Sequence, residues 1–304
     1  GLAGGAIPIH QHLAEEAVQR AVATPLGLSL LDAAWGAHTV ANSTMIRAIK
    51  AVTTYRGRDP RDFALMAFGG NGPIHATGVA ESLGIQTVIV PPAPGLFSAV
   101  GLLEAKQERH FTQSLFGPFD RTACERIDTG FRDLEARAAI EIAREEPQSA
   151  SLSFQRGLDL RYAGQGFELA IAVGSMSAAS EWFERVTEAF TREHERTYGH
   201  SAPGEPMEIV NVRLIAQRDT NLIAPTLALT ESTQTASADR LVYFGAATGM
   251  VSVPVLDRRD LASTDQRGPL IIQEYDSTTI VPPNAAARRD EHGNIIVTLD
   301  SVDA

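Results

Sequence analysis

A continuous apolar run that ends in a cluster of glycines constrains the fold of this chain more than any other stretch. Residues 63–68 are apolar throughout, which is typical of a strand buried on both faces of a parallel sheet. Residues 69–72 (GGNG) follow directly, and Pro73 stands where a helix would begin. The pattern predicts a helix over 74–83 and a second buried strand over 87–90. Strand, helix and strand with short connections predict a doubly wound α/β layer.

The glycine loop (residues 69–72) is the strongest local signal for a ligand. Glycine lets a ligand approach the backbone because no Cβ is in the way, and the free N–H groups at a helix start favour a phosphate or the polar edge of a ring. A tight strand-to-helix turn needs glycine in any case, so a nucleotide site and a purely structural turn are both open. The loop matches neither G-x-x-x-x-G-K-[ST] nor G-x-G-x-x-G. The candidate cofactor-binding residues are Gly69, Gly70, Asn71, Gly72, Pro73 and His75.

Downstream of this layer the sequence pattern changes twice. Over residues 107–218 a strand, a charged helix, two strands, a second helix and a final strand follow the order of a ferredoxin-like βαββαβ unit. Residues 219–238 are rich in Thr, Ser and Ala and predict a linker. Short strands separated by turns, at 241–244, 251–255, 270–274, 278–281 and 295–299, predict a small all-β domain over 239–304. The expected organisation is an α/β portion over 1–106, an α+β domain, a linker and a β-rich C-terminal domain.

Composition excludes several classes of partner. The formal charge is −11, from 37 acidic and 26 basic residues, whereas a nucleic-acid-binding surface needs a clustered positive excess. No stretch reaches the roughly 18 apolar residues that would span a bilayer, and the start of the chain has no signal-peptide pattern. We therefore expect a cytoplasmic protein that binds neither nucleic acid nor membrane. Cys124 is the single cysteine, which excludes an internal disulfide, and we expect it to be a packed side chain.

Other polar groups are weaker candidates, and for each the ordinary structural role is expected. A pair of histidines without a further ligand residue is half a metal site and predicts exposed polar side chains. Charged residues that alternate on one strand face pair with their neighbours or contact a substrate. Histidines at a helix end suit the helix dipole or shuttle protons. These groups are His10 with His12, Asp159 with Arg161, and His194 with Tyr198 and His200; residues 257–260 predict a solvated turn.

Several separate segments resemble the hydantoinase A / 5-oxoprolinase family. In the first third of the chain, residues 41–49 (ANSTMIRAI), 58–63 (RDPRDF) and 68–76 (FGGNGPIHA) carry the resemblance. Later segments continue it in the same order: 90–95, 98–102, 159–165, 194–199, 208–213, 268–272 and 276–283. Because the similarity extends in order over nearly the whole chain, chance does not account for it.

This resemblance implies the second lobe of an actin-like (ribonuclease-H-like) ATPase fold. The glycine loop would be the motif on the adenosine side, and residues 98–103 would form the segment that returns toward the first lobe. In this family ATP phosphorylates a carbonyl oxygen of a cyclic amide or a ketone. Water then attacks the activated carbon, whereas the carboxylase branch joins an enolate to bicarbonate.

Members of the family carry Asp-x-Gly-Gly-Thr loops that hold Mg²⁺ and the phosphates, and this sequence contains none. The resemblance therefore implies ATP and Mg²⁺ with the metal ligands outside this chain, and it assigns no catalytic residue within it. The chain starts at Gly1 and is expected to be the C-terminal half of the enzyme, either a fragment or a split subunit. The implied partners are the missing N-terminal ATPase lobe and a hydantoinase B-like hydrolytic subunit or domain.

The expected function is the nucleotide-binding part of a hydrolase that opens hydantoin, 5-oxoproline or lactam rings. Two alternatives stay open. One is a subunit of an ATP-dependent ketone carboxylase, and the other is a non-catalytic assembly module when the chain is isolated. Asn71 stands where the family more often has a small residue, which leaves ligand selectivity open.

Overall fold

A computed structural model describes residues 7–145, 152–174, 179–218 and 239–300. The chain divides into two compact units: the first joins Gly1–Leu103 to Ala224–Ala304, and the second is Glu104–Ile223. The predicted linker over 219–238 lies outside the described residues.

Helices open the first unit. They are α1 (Gln11–Val18), a π-helical turn (Gln19–Ala23), α2 (Thr24–Leu26), α3 (Leu30–Val52) and the 3-10 turns Thr54–Arg56 and Pro60–Asp62. Gly27 ends α2 with φ of 66°, a left-handed conformation that glycine adopts without steric cost. Ser29 caps α3, because its hydroxyl oxygen accepts the Asp32 N–H at 3.1 Å.

A strand–helix–strand unit follows. Its elements are β1 (Leu65–Met66), α4 (Gly72–Leu83) and β2 (Thr87–Val90), and α5 (Phe97–Glu104) comes next. The two strands are parallel, with Leu65 opposite Val88. The buried face of α4 includes Ala76, Val79 and Ala80, whose small side chains let the helix lie close to the sheet. The α/β class is confirmed for this part of the chain.

The prediction that residues 63–68 form a strand buried on both faces is wrong. Only two residues form strand β1, and Phe63, Met66 and Phe68 are 46%, 47% and 44% exposed. The reason is position, because β1 is the edge strand of its sheet and pairs only with β2 among the described strands. Apolar content predicted a strand but could not predict which strand would be at the edge.

The second unit has the predicted order of elements. They are β3 (Gln107–Pro118), a 3-10 turn (Arg121–Ala123), α6 (Cys124–Glu145), β4 (Leu152–Tyr162), β5 (Leu169–Ala172), α7 (Ala179–Tyr198) and β6 (Met207–Arg218). Its core joins Phe131 of α6 and Trp182 of α7 to sheet residues such as Leu158 and Leu214. The indole N–H of Trp182 donates to the Val173 carbonyl at 3.0 Å, which satisfies its polar atom inside the core.

The sheet of this unit differs from a ferredoxin-like sheet in strand order. The order is β3-β6-β4-β5 and every neighbouring pair is antiparallel, so the second and fourth strands of the unit are central. In a ferredoxin-like sheet the first and third strands are central. Both orders keep the same strand directions and let each helix cross one intervening strand. Sequence periodicity therefore predicts the elements and does not distinguish the two sheets.

The C-terminal strands complete the first unit. They are β7 (Arg240–Tyr243), β8 (Met250–Val253), β9 (Val255–Leu256), β10 (Gln266–Arg267), β11 (Leu270–Gln273), β12 (Thr278–Val281), β13 (Ala285–Arg289) and β14 (Ile295–Leu299). β14 runs antiparallel to β2, which gives a sheet ordered β1-β2-β14-β13-β10. β9, β11 and β12 form a second sheet, and β7 pairs with β8.

The expected separate β-rich domain over 239–304 is therefore wrong, because its last strands pair with the N-terminal α/β layer. Two of the strands, β10 and β13, were not predicted. The sequence of β13 is AAARR, which lacks the β-branched and aromatic residues that identify strands. Its alanines are buried between neighbouring strands, where only tertiary pairing holds them.

Candidate functional site

The glycine loop connects β1 to α4. Gly69 has φ of 85°, a left-handed conformation that disfavours other residues, and its N–H donates to the Pro94 carbonyl at 2.7 Å. Asn71 occupies the N-cap position of α4 but makes no side-chain capping hydrogen bond. Gly72 and the buried Pro73 form the first helical turn as predicted. The helix start is thus left without a side-chain cap, as a site for a polar ligand requires.

His75 is engaged on the side of α4 that faces α3. Its Nδ1 lies 2.8 Å from Oδ1 of Asn42, and its ring stacks on His38 with centroids 4.6 Å apart. Nδ2 of Asn42 lies 3.2 Å from Nε2 of His38. Burial, and then the charge of His75, lowers the pKa of His38, which favours a neutral imidazole in this stack. His75 therefore joins the two helices, and its contact with a ligand stays a prediction.

A loop from the C-terminal strands packs against the glycine loop. Oδ2 of Asp276 accepts the Gly95 N–H at 2.8 Å, and the Ser277 hydroxyl donates to the Gly70 carbonyl at 3.3 Å. A Cβ on Gly95 would lie 2.8 Å from the Asp276 carboxylate, and one on Gly70 would lie 3.4 Å from its backbone oxygen. The glycines at 70 and 95 are thus explained by the close approach of this loop as well as by any ligand.

A buried guanidinium holds that loop in place. Arg258 is 1% exposed, and its Nε and Nη2 donate to the two carboxylate oxygens of Glu274 at 2.6 and 2.8 Å. Nη1 donates to the Val90 carbonyl and Nη2 to the Pro91 carbonyl, both at 2.9 Å. Burial raises the pKa of Glu274, while the hydrogen bonds and charge of Arg258 oppose that rise. The prediction of a solvated turn over 257–260 is wrong for Arg258, which joins the end of β2 to the start of the Asp276 loop.

Sequence reasoning missed Asp276 and Arg258 as parts of this site. Asp276 lay inside a segment that resembles the family, but spacing along the chain does not show that residues 95 and 276 are in contact. Arg258 lies between charged neighbours, a pattern that is typical of an exposed turn. Nothing in the local sequence signals that Arg258 is buried, because the partners that bury it are distant in the chain.

A cavity of about 550 Å³ lies beside α4, on the side that faces α3. Its walls come from α3, α4 and the β7–β8 hairpin, and include Trp35, His38, Ile74 and Tyr243. The Tyr243 hydroxyl donates to Oδ1 of Asp32 at 2.5 Å, which ties the hairpin to the start of α3. The side chains are mostly apolar and do not belong to the glycine loop. The residues that line this cavity do not by themselves indicate the chemistry of a ligand.

The weaker candidates have the structural roles expected of them. Asp159 accepts hydrogen bonds from Asn211 and Arg213, and Arg161 pairs with Glu208 at 3.0 Å. His194 is buried, within 3.0 Å of Gln165 and 2.7 Å of the His200 carbonyl. His10 and His12 are exposed, and Cys124 is buried, which raises the pKa of its thiol.

No group of three or more His, Cys, Asp or Glu side chains is arranged to hold a metal ion in the ranges that the structure covers. Within the same ranges, no helix combines the length and apolar character needed to cross a bilayer.

Replacing Gly95 by alanine is expected to lower the free energy of unfolding by about 1–3 kcal/mol, the usual cost of overpacking. The added Cβ would lie 2.8–3.1 Å from atoms of the Asp276 side chain. Gly101→Ala is the matched control, because its Cβ meets nothing within 4 Å and alanine is favoured in a helix. Urea denaturation measures both. In an Asp276→Gly background the Gly95→Ala cost should fall, and an unchanged cost would show that the two sites are not coupled.

Comparison with known proteins places the chain in a family. The sequence profile of Hydantoinase/oxoprolinase matches residues 2–110, and that of the Hydantoinase/oxoprolinase C-terminal domain matches residues 119–298. Caprolactamase subunit alpha from Pseudomonas jessenii is 28% identical over 298 residues, which cover 93% of this chain and 42% of that protein. The crystal structure of the ATP-dependent caprolactamase from that organism superposes with a TM-score of 0.82 at 26% identity, covering 98% of this chain and 44% of its own.

Two further relatives carry different activities in their names. 5-oxoprolinase 1 of Arabidopsis thaliana is 29% identical over 90% of this chain and 21% of its own length. Acetophenone carboxylase gamma subunit of Aromatoleum aromaticum is 26% identical over 99% of this chain and 42% of its own length. The chain thus spans less than half the length of each of these relatives. With both sequence profiles matched in order, and the fold of a caprolactamase reproduced over nearly the whole chain, this protein belongs to the hydantoinase/oxoprolinase family.

Proposed function

We propose that this chain is the nucleotide-binding C-terminal part of an ATP-dependent cyclic amide hydrolase. The observation that carries the proposal is the likeness to ATP-dependent caprolactamase, which extends over 98% of the chain with a TM-score of 0.82. In the proposed reaction ATP phosphorylates the amide oxygen, and the amide carbon becomes electrophilic enough for water to attack. Ring opening and release of phosphate then complete the hydrolysis.

The glycine loop is the proposed nucleotide contact, on the adenosine side of an actin-like site. Gly69 has a left-handed backbone conformation, and the side chain of Asn71 does not cap the start of α4. The acidic Asp276 beside Gly70 and Gly95 supports a nucleoside rather than a polyphosphate at this loop. The residues proposed to contact the cofactor are Gly69, Gly70, Asn71, Gly72, Pro73 and His75.

The phosphates and Mg²⁺ are proposed to be held by a first ATPase lobe that is not in this sequence. The chain spans 42% of caprolactamase subunit alpha, and family loops of the Asp-x-Gly-Gly-Thr type are absent from it. The exposed edge strand β1, with Met66 and Phe68 open to solvent, offers an apolar surface for such a lobe. A hydantoinase B-like subunit is the proposed hydrolytic partner. Isolated, the chain is proposed to be inactive.

A ketone carboxylase is the second candidate, since acetophenone carboxylase gamma subunit aligns over 99% of the chain. Both candidates use ATP to activate a carbonyl oxygen, so the fold and the glycine loop fit either. A non-catalytic assembly role is the third candidate and applies to the isolated chain. The three differ in what stimulates phosphate release.

The test is phosphate release by the complete polypeptide with its partner subunit. We expect release from ATP to be stimulated by a lactam, 5-oxoproline or a hydantoin, with a ring-opened product formed in step, and no release by this chain alone. Stimulation only by a ketone with bicarbonate would establish the carboxylase instead. No stimulation by either class, with a stable complex retained on size-exclusion chromatography, would favour the assembly role.

A further inference from the structure

Among the described residues, one carboxylate oxygen of Asp276 accepts a hydrogen bond from the protein and the other does not. Oδ2 accepts the Gly95 N–H at 2.8 Å. Across the described ranges no hydrogen-bond donor is bonded to Oδ1. The side chain is half-buried, between the turn at Gly95 and the glycine loop. A carboxylate with one oxygen that accepts no bond from the described residues has a free acceptor for a ligand donor.

The position of this carboxylate is set by its neighbours on both sides. Glu274, two residues before it, is held by the buried Arg258, and Ser277, directly after it, donates to the Gly70 carbonyl at 3.3 Å. The Gly95 hydrogen bond fixes the side chain itself. An acceptor held in this way loses little conformational entropy when it binds a ligand, which is what a recognition residue requires.

The charge of Asp276 decides which part of a nucleotide fits beside it. Phosphate oxygens are negative acceptors, so a carboxylate repels them and offers them no donor. The nearby guanidinium of Arg258 does not compensate, because it is buried and already paired with Glu274. Ribose hydroxyls are donors, and a carboxylate that accepts from a ribose hydroxyl is the means by which dinucleotide-binding folds recognise that sugar.

We infer that Asp276 accepts a hydrogen bond from a ribose hydroxyl of the bound nucleotide. The inference rests on the proposed function and refines it, because it assigns the sugar to the junction of the glycine loop, the Gly95 turn and the Asp276 loop. The phosphates then extend away from this junction. Asp276 is a binding residue in this account, and takes no part in phosphoryl transfer.

The test compares ATP with 2′-deoxy-ATP and 3′-deoxy-ATP on the complete polypeptide, with KM and kcat measured for each. A hydrogen bond to a charged acceptor contributes about 1.5–3 kcal/mol, so the unmodified protein should prefer ATP over one of the two analogues by roughly 10- to 150-fold in kcat/KM. Asp276→Asn keeps an acceptor for Gly95 and removes the charge. It should raise KM for ATP about tenfold and abolish most of the preference for the ribose form.

Asp265→Asn is the matched control. It makes the same substitution at a carboxylate that is 61% exposed beside Arg288 and takes no part in positioning Asp276, so the preference for ATP over the deoxy analogue should persist. The inference is overturned if the unmodified protein accepts both deoxy analogues as well as ATP, or if Asp276→Asn retains the preference. Either result can occur while ATP is still hydrolysed, which leaves the proposed function intact. A protein that binds no ATP would overturn both.

Discussion

Arg258→Met is expected to lower the free energy of unfolding by about 3–5 kcal/mol, because removal of one partner leaves a buried charge without compensation. Glu274 would lose the bidentate ion pair that offsets its burial. The carbonyls of Val90, Pro91 and Gly293 would lose a donor at the same time. Chemical denaturation monitored by circular dichroism measures the loss.

Arg259→Met is the control for this substitution, since it removes the same kind of side chain one position further along. The Arg259 side chain is 42% exposed in its ion pair with Asp257, and exposed pairs contribute about 0–1 kcal/mol. The double variant Arg258→Met, Glu274→Leu should recover part of the stability lost by the single variant, because no buried charge is left unpaired. If Arg258→Met were as stable as Arg259→Met, the stabilising role of the buried Arg258–Glu274 ion pair would be contradicted.

The loss in free energy of unfolding caused by Arg258→Met should also depend on pH. Burial already raises the pKa of Glu274, and Arg258 opposes the rise, so its removal should raise that pKa further. An acid whose folded pKa is raised binds more protons when folded than when unfolded. Stability therefore increases as pH falls through the raised pKa toward the ordinary glutamate value. The difference in free energy of unfolding between the variant and the unmodified protein should therefore decrease on acidification over that pH range and stay large at neutral pH.

Local patterns predicted the elements that local physics controls. The helix that begins at Gly72-Pro73 and strands β12 and β14 agree with the structure, because prolines and runs of β-branched residues act within a few positions of themselves. The βαββαβ order of the second unit was predictable for the same reason. Its strand order was not, since both alternatives satisfy the same periodicity.

Contacts between distant segments could not be read from the sequence. The pairing of β14 with β2 joins residues about two hundred positions apart, and it turned an expected separate domain into part of the first sheet. The contact of Arg258 with Val90 and that of Asp276 with Gly95 likewise join residues 168 and 181 positions apart. The glycine loop was predictable as a strand-to-helix turn, and its binding of a ligand stays a prediction. The position of Asp276 beside it became visible only in three dimensions.

Mg·ATP is expected to bind the complete polypeptide far more tightly than it binds this chain alone. The chain offers the adenosine side of the proposed site, while the ligands of the phosphates and of Mg²⁺ are proposed to lie in the first lobe. Hydrogen bonds to charged groups contribute about 1.5–3 kcal/mol each. The loss of two of them corresponds to a difference in Kd of roughly 10²- to 10⁴-fold.

Gly69→Ala in the complete polypeptide tests whether the glycine loop makes this contact. Gly69 has φ of 85°, and a Cβ in the left-handed region costs about 1–2 kcal/mol, so a distorted loop should weaken binding roughly tenfold. Gly166→Ala is the matched control, because its Cβ meets nothing within 4 Å and no left-handed φ is required there.

Calorimetric titration of Mg·ATP into the complete polypeptide, the isolated chain and these two variants tests whether the glycine loop contributes to a shared nucleotide site. We expect tight binding by the complete polypeptide and by Gly166→Ala, weaker binding by Gly69→Ala, and no measurable heat with the isolated chain. Absence of binding by the complete polypeptide, or equal affinity of the Gly69→Ala and Gly166→Ala variants, would contradict this expectation.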